Sequence, residues 1–345
     1  MDGKFYMLNW QLWKDTTDAW DLSLVSSEDY TVFQSFGWGE YKKRSGWLPL
    51  RYYRLNKNGK TQAMAQILIK KLPLGMVFIW VSGGLVFNFP GFKPDELTEL
   101  IHSLIDKIRV DHPRSLIRFH YQMEAESDLS YSVNKVCFRP YFKLNSGFSV
   151  QFKLNQSVDK MRQNMTSKHR YYTKAASVAG IRWIVGNDDQ QLTSLAMIHQ
   201  EMVRSKNLPA IGTSFIELQS MRDHLGDKVQ LITGYLDDDP VTSCLILIFG
   251  KKAFYMVAAT GQYGRKVSAA YAMFERLMQE LIDRGISDFD FGGLDPVSEA
   301  ATGVNHFKCG FGGKLVEHLG EWESSSSEKV RLAINLAIKL KGGRA

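Results

Sequence analysis

Residues 229–291 read VQLITGYLDDDPVTSCLILIFGKKAFYMVAATGQYGRKVSAAYAMFERLMQELIDRGISDFDF, and this stretch decides the fold. Val229 to Leu236 and Val241 to Phe249 are β-rich runs on either side of the turn Asp237-Asp238-Asp239-Pro240. Ala253 to Ala259 supplies a third strand. From about Ser268 to Arg284, Ala272, Phe274, Leu277, Met278, Leu281 and Ile282 recur at helical spacing. Asp288 to Phe291 then closes the unit as another strand. Strands joined by short turns pair antiparallel, whereas a strand reached through a helix comes back parallel. The pattern predicts a mixed, mostly antiparallel sheet with helices packed on it.

Outward from this stretch the same order recurs. In the first half, Arg51 to Leu55 and Ala63 to Lys70 flank the turn Asn56-Lys57-Asn58-Gly59, and Val77 to Val86 follows Leu74-Gly75. Lys93-Pro94-Asp95 opens a helix on which Leu97, Leu100, Ile101, Leu104, Ile105 and Ile108 share one face. Ser115 to His120 reads as the closing strand. Hairpin-rich sheet, helix, then strand is the order of an acetyltransferase-like domain, and it occurs twice. The fold class expected is α/β, two tandem domains of the GNAT (acetyltransferase) type. Phe148 to Leu154 begins the second, which sets the domains at 1–147 and 148–320. No solenoid repeat and no Gly/Ser linker separates them.

Composition bounds the function. A chain of 345 residues exceeds the usual single core, and 44% hydrophobic with 23% charged content is globular. No apolar run reaches the roughly 18 residues that a membrane helix needs. The first residues, Met1-Asp2-Gly3-Lys4, lead into Trp- and Asp-containing sequence rather than the apolar core of a signal peptide. Cys137, Cys244 and Cys309 lie too far apart for a metal-type pair or a disulfide framework, so no metal and a reducing interior are expected. A net charge of +7 and a pI near 9.1 favour polyanionic partners: nucleic acid, nucleotide diphosphates or an anionic membrane surface.

Three blocks carry a resemblance. The first is Gln34 to Trp47, with Trp38, Lys42, Lys43 and Arg44. The second runs from Met161-Arg162-Gln163-Asn164-Met165 through Arg170-Tyr171-Tyr172-Thr173-Lys174 to Gly180. The third holds Asp290-Phe291-Gly292-Gly293-Leu294 and then Asn305-His306-Phe307-Lys308-Cys309-Gly310-Phe311-Gly312-Gly313. In family order and at family-like spacing, they resemble the FemABX family. That resemblance implies transfer of an amino acid from aminoacyl-tRNA, as co-substrate with no other cofactor, to an amine of a cell-wall precursor. It also implies a C-terminal segment, 321–345, returning to the first domain. Only Ser205 to Thr213 stands where some members carry a coiled-coil arm, so an armless member is expected.

The resemblance assigns roles residue by residue. Lys308 matches a lysine that stabilises developing negative charge, with Phe307 beside it. On its residues alone, Lys308 is a surface lysine entering a turn, and Phe307 fits a core aromatic equally well. Lys42 matches a lysine that binds a diphosphate, with Trp38 near it; the same segment also reads as an amphipathic helix with Trp38 packed inward. Asp290, Gly292 and Gly293 suit a substrate-lined turn or a tight strand exit, and His306 is a lone histidine. Lys168, Arg170 and Lys174, with His169 and Arg162, form a basic face interleaved with tyrosines, either for tRNA phosphates or simply solvated.

Departures narrow the acceptor. His120-Tyr121 stands where the family continues Asp-Pro, and Thr213, Glu217 and Val257 stand where a nucleotide-precursor binder has Arg, Tyr and Tyr. They count against the soluble nucleotide-linked precursor as acceptor and leave a lipid-linked precursor, or another amine, open. Gly261 to Ala270 lacks the Arg-x-x-Gly-x-Gly/Ala spacing of a CoA loop, so acyl-CoA transfer is the alternative donor reading, and a non-catalytic binding protein the other alternative. The apolar and basic helix from Glu328 to Leu340 either packs on the first domain or touches the inner membrane surface of a cytoplasmic protein.

Overall fold

The computed structural model describes residues 9–206 and 213–343, and the chain divides into two compact units. One comprises residues 1–148 and 316–345, the other residues 149–315. The first half of the chain runs β1 (Gln11–Leu12), α1 (Thr17–Leu24), α2 (Phe36–Lys43), β2 (Leu48–Leu55), β3 (Thr61–Lys71) and β4 (Val77–Ser82). Then come α3 (Leu97–Asp111), β5 (Ser115–Glu124) and α4 (Ser127–Asn134). The second half begins with β6 (Phe148–Lys153), α5 (Val158–Asn164), α6 (Ser167–Ser177), β7 (Arg182–Gly186), α7 (Asp189–Lys206) and α8 (Phe215–Leu225). It continues with β8 (Val229–Leu236), β9 (Asp239–Phe249), β10 (Lys252–Thr260), α9 (Gln262–Lys266) and α10 (Ala269–Asp283). β11 (Asp288–Leu294), α11 (Thr302–Cys309), β12 (Lys314–Ser325) and α12 (Glu328–Leu340) complete it.

In the first unit the strand order is β1-β2-β3-β4-β5-β12. β2, β3 and β4 pair antiparallel, β5 returns parallel to β4 after α3, and β12 pairs antiparallel with β5. The stripe read on α3 is buried at all six positions, because the 3.6-residue period turns each of them onto the sheet. β4 ends at Ser82, short of the expected Val86, just ahead of Gly83-Gly84. α12 buries Val330, Ile334 and Ile338 in a cluster with Phe78 and Leu116, leaving Leu332, Leu336 and Leu340 exposed. Beneath it, Arg118 of β5 is fully buried between Glu321 (3.2 Å) and Glu323 (2.6 Å), and Asn335 accepts its second Nη2 hydrogen bond at 2.9 Å.

The second unit has the order β6-β11-β10-β9-β8-β7. β7, β8, β9 and β10 pair antiparallel in sequence, and β11 returns parallel to β10 after α10. The turn between β8 and β9 is shorter than expected. Asp237 and Asp238 both adopt positive φ (48° and 68°), the hairpin geometry whose twist suits the flanking strands, and Pro240 already pairs with Tyr235. The basic segment is broken into α5 and α6 where Thr166 caps the second helix through His169 N. Five aromatic residues, Phe152, Phe274, Phe289, Phe291 and Phe311, fill the core, and Phe274 stacks on Phe311 at 3.8 Å. The expectation placed on Ser205 to Thr213 falls largely on residues 207–212, outside the described ones.

Candidate active site

The second unit's site grows from the place where two strands stop pairing. β10 and β11 are hydrogen-bonded only from Lys252–Phe254 to Asp288–Asp290, and a bulge between Tyr255 and Val257 then bends β10. Past that point β11 turns through Gly292, whose φ of +75° is open to glycine and strained for other residues. Asp290 sets the turn. Its Oδ1 accepts the Gly292 N–H at 2.8 Å and the Ser149 hydroxyl, and its Oδ2 accepts from Gln151 Nε2 at 3.0 Å. A carboxylate with three such donors is a brace for the turn rather than a free base.

Lys308 arrives from α11. Its ammonium donates to Gly293 O at 2.9 Å and sits 5.5 Å from the Phe291 ring centroid. A Cβ on Gly292 would lie 3.0 Å from Tyr255 O and 3.5 Å from Lys308 Nζ, so the glycine opens the space the amine uses. Burial pushes the Lys308 pKa down to about 8, against the pull of the Asp290 and Cys309 charges, which raise it. Its neighbour Cys309 is exposed, and loss of hydration raises its thiol pKa while Lys308 lowers it. Phe307 points inward: its ring meets Tyr271 (5.2 Å) and Phe311 (5.0 Å) edge-on, so its role in the fold is packing. His306 is exposed.

The basic face resolves into different fates. Lys168 and Lys174 are exposed, as is Tyr171 at 69%. Arg162 is committed to Asp159 (2.9 Å) and Glu275 (2.6 Å), while Arg170 caps the end of α5 through Gln163 O and Met165 O. His169 faces the interior at 1% exposure, because with Thr173 and Ala176 it lies on the buried stripe of α6. Tyr172 and Tyr271 pack at 5.0 Å, joining α6 to α10.

In the first unit, α2 presents Lys42 over the rings of Trp38 (4.6 Å) and Tyr41 (5.2 Å). Burial lowers its pKa, whereas Lys43 and Arg44 are exposed. Trp38 is 3% exposed and packs edge-on against Phe33 at 4.7 Å, with its indole N–H unpartnered. Glu217, aligned by sequence with a binding residue, closes a capping box with Ser214 at the start of α8.

Three features escaped sequence reasoning. Tyr255, two positions before Val257 and across the bulge, sets its ring edge-on to Phe291 at 4.8 Å; burial raises its pKa well above the ordinary value. Glu201, from α7, accepts the Gln262 N–H at 2.6 Å, at the start of the Gly261 loop. His169 hydrogen-bonds the Phe307 carbonyl at 3.0 Å. A bulge and two contacts between segments far apart in sequence leave no local pattern to read. Among the described residues no cluster of His, Cys, Asp and Glu is arranged to hold a metal ion, and no helix is long and apolar enough to cross a membrane.

The sequence profile of the FemAB family matches residues 187–338. A crystal structure of FemX covers 94% of this chain and all of its own, with a TM-score of 0.83 at 16% identity. The L-PGS structure from Bacillus licheniformis covers 85% of this chain and 90% of its own (TM-score 0.52, 15% identity). A tandem GNAT protein from the clavulanic acid biosynthesis pathway covers 93% and 99% (TM-score 0.54, 9% identity). No curated protein sequence matches the chain. These likenesses give the fold, in each unit a mixed sheet flanked by helices, as like that of FemX and the tandem acetyltransferases. The FemAB profile thus matches residues 187–338 of this chain, and the fold resembles that of FemX.

Proposed function

We propose that this protein is an acyltransferase that moves an amino acid from aminoacyl-tRNA to an amine of a peptidoglycan precursor or related cell-envelope acceptor. The observation that carries the reading is Lys308, a half-buried cation held at the Gly292-Gly293 turn. The ester of the donor is already activated, so the reaction needs positioning and charge stabilisation. The neutral acceptor amine attacks the ester carbonyl, and an oxyanion forms. The bond to the ribose oxygen then breaks, and the proton lost by the amine ends on that oxygen. An ammonium of pKa about 8 is mostly charged at neutral pH, and in a partly desolvated site it opposes the oxyanion strongly.

The donor reading draws on a second feature. A CoA pyrophosphate is held by backbone amides at a Gly-rich loop. Here the Gln262 amide already donates to Glu201, and Oε2 of that carboxylate lies 2.7 Å from where a Gly261 Cβ would stand. A resident anion at that loop repels a second one. Lys168, Lys174 and Tyr171 offer exposed cations and an aromatic face to RNA instead. The use of tRNA would put the reaction in the cytoplasm, with a lipid-linked or nucleotide-linked precursor as acceptor.

The test is donor choice. Purified protein is given radiolabelled aminoacyl-tRNA or labelled acetyl-CoA, with an extract of cell-wall and glycan precursors. Label passing from tRNA into an alkali-stable amide is the expected result. Label passing only from acetyl-CoA keeps the fold and overturns the proposed donor.

A further inference from the structure

The last turn of a helix leaves its final carbonyls without intrahelical partners. In α11 the helix ends with Gly310 N donating to His306 O, which leaves Phe307 O, the carbonyl joined to Lys308, for another donor. That donor is His169, whose Nε2 lies 3.0 Å from it. A carbonyl only accepts, so Nε2 carries the proton, and Nδ1 accepts from the Thr166 hydroxyl at 2.8 Å. The same Thr166 takes a second hold on the segment, its N–H donating to Gly310 O at 2.9 Å.

The ring has no room to move. Tyr271 and Phe311 meet it edge-on at 5.1 and 4.8 Å. A Cβ on Gly310 would fall 1.9 Å from the imidazole, so this glycine is what lets the two segments approach. Burial lowers the His169 pKa, with the Phe307 hydrogen bond acting against it and the charges of His306 and Lys168 adding to it. That shift favours the neutral ring.

We infer that His169 is a positioning residue for transfer: by capping the Phe307 carbonyl it fixes the last turn of α11, and with it the Lys308 amine at the Gly292-Gly293 turn. The inference rests on the reading of Lys308 given above. A fixed imidazole also ties α6, with its exposed cations, to the helix that carries the amine.

The experiment compares His169→Gln, which keeps a donor at similar reach, with His169→Phe, which fills the space without one. Thermal unfolding, kcat and KM for the donor are measured, together with the pH dependence of Lys308 modification by a small amine reagent. The expected result is that Gln stays within about threefold of the wild type, while Phe lowers kcat about 10²-fold at unchanged KM, as a displacement near 1 Å does. In the Phe variant Lys308 is expected to titrate closer to an ordinary lysine. If Phe does not fold, His169→Asn, too short to reach Phe307 O, carries the same comparison. A folded Phe or Asn variant with unchanged kcat and unchanged Lys308 titration overturns the inference. A shifted titration with unchanged kcat upholds the positioning and instead removes Lys308 from catalysis.

Discussion

In the first unit, Arg118 is enclosed by Glu321, Glu323, Asn335 and the Phe142 carbonyl, while Arg331 closes the far side of Glu323 at 2.7 Å. In the second, Lys308 is half-buried on a carbonyl and an aromatic face, and the nearby Asp290 spends its oxygens on Ser149, Gln151 and a backbone amide. Both units use the same strand and helix order, and both take a cation out of water. One satisfies it; the other leaves it poised. A satisfied buried cation specifies structure, whereas a cation with its hydration reduced and its charge underused can act on something that arrives.

The largest effect should come from breaking the satisfied site. Arg118→Met leaves two buried carboxylates facing each other, and removal of one partner from such a network costs about 3–5 kcal/mol. Thermal unfolding should fall by about 10 °C, read by calorimetry or circular dichroism. An unchanged melting temperature would mean the network contributes little to holding α12.

Lys308→Met should do the reverse. Transfer falls about 10²–10³-fold, the loss typical of one oxyanion donor. The melting temperature at neutral pH should rise by about 2–4 °C. The sign follows from linkage. The folded pKa of about 8 lies below the ordinary lysine value, so the penalty for holding the ammonium is complete below 8. It fades as pH rises from 8 toward the ordinary value. A variant both inactive and less stable would make Lys308 structural after all.

The same shift sets a pH profile. If the charged amine is required, kcat should decline about tenfold per pH unit above roughly 8. Lys308→Arg, whose guanidinium stays charged, should be slower yet lack that decline. A decline that persists in the Arg variant belongs to another group.

The twofold strand–helix–strand order was legible because hairpin turns and helical stripes are local. Lys308 was singled out only by the resemblance of the block that holds it; on its residues alone it read as a surface lysine entering a turn. The fates of the charged residues around it were not legible. Arg162, His169 and Arg170 read as one basic face, yet only the 3.6-residue phase of α6, which groups His169 with Thr173 and Ala176, hinted that the histidine turns inward. Glu275 lies 113 residues from Arg162 and Phe307 lies 138 from His169, so neither partner leaves a mark near the residue it fixes. Asp290 read as part of a substrate-lined turn or of a tight strand exit; three donors that converge on it from two strands add a bracing role that no local pattern announced.

The smallest expected effect separates the two kinds of cation on α5 and α6. Lys168 and Lys174 are exposed, so each that contacts a phosphate releases counterions when tRNA binds. Their alanine variants should each reduce the log–log salt slope of tRNA binding by about 0.7–0.9, with melting unchanged. Arg162 and Arg170 are occupied by Glu275, Asp159 and the carbonyls that end α5. Their alanine variants should lower stability by about 0.5–1 kcal/mol and leave the slope where it was. Equal slopes across all four variants would return the whole segment to a solvated helix face, and tRNA would need another surface.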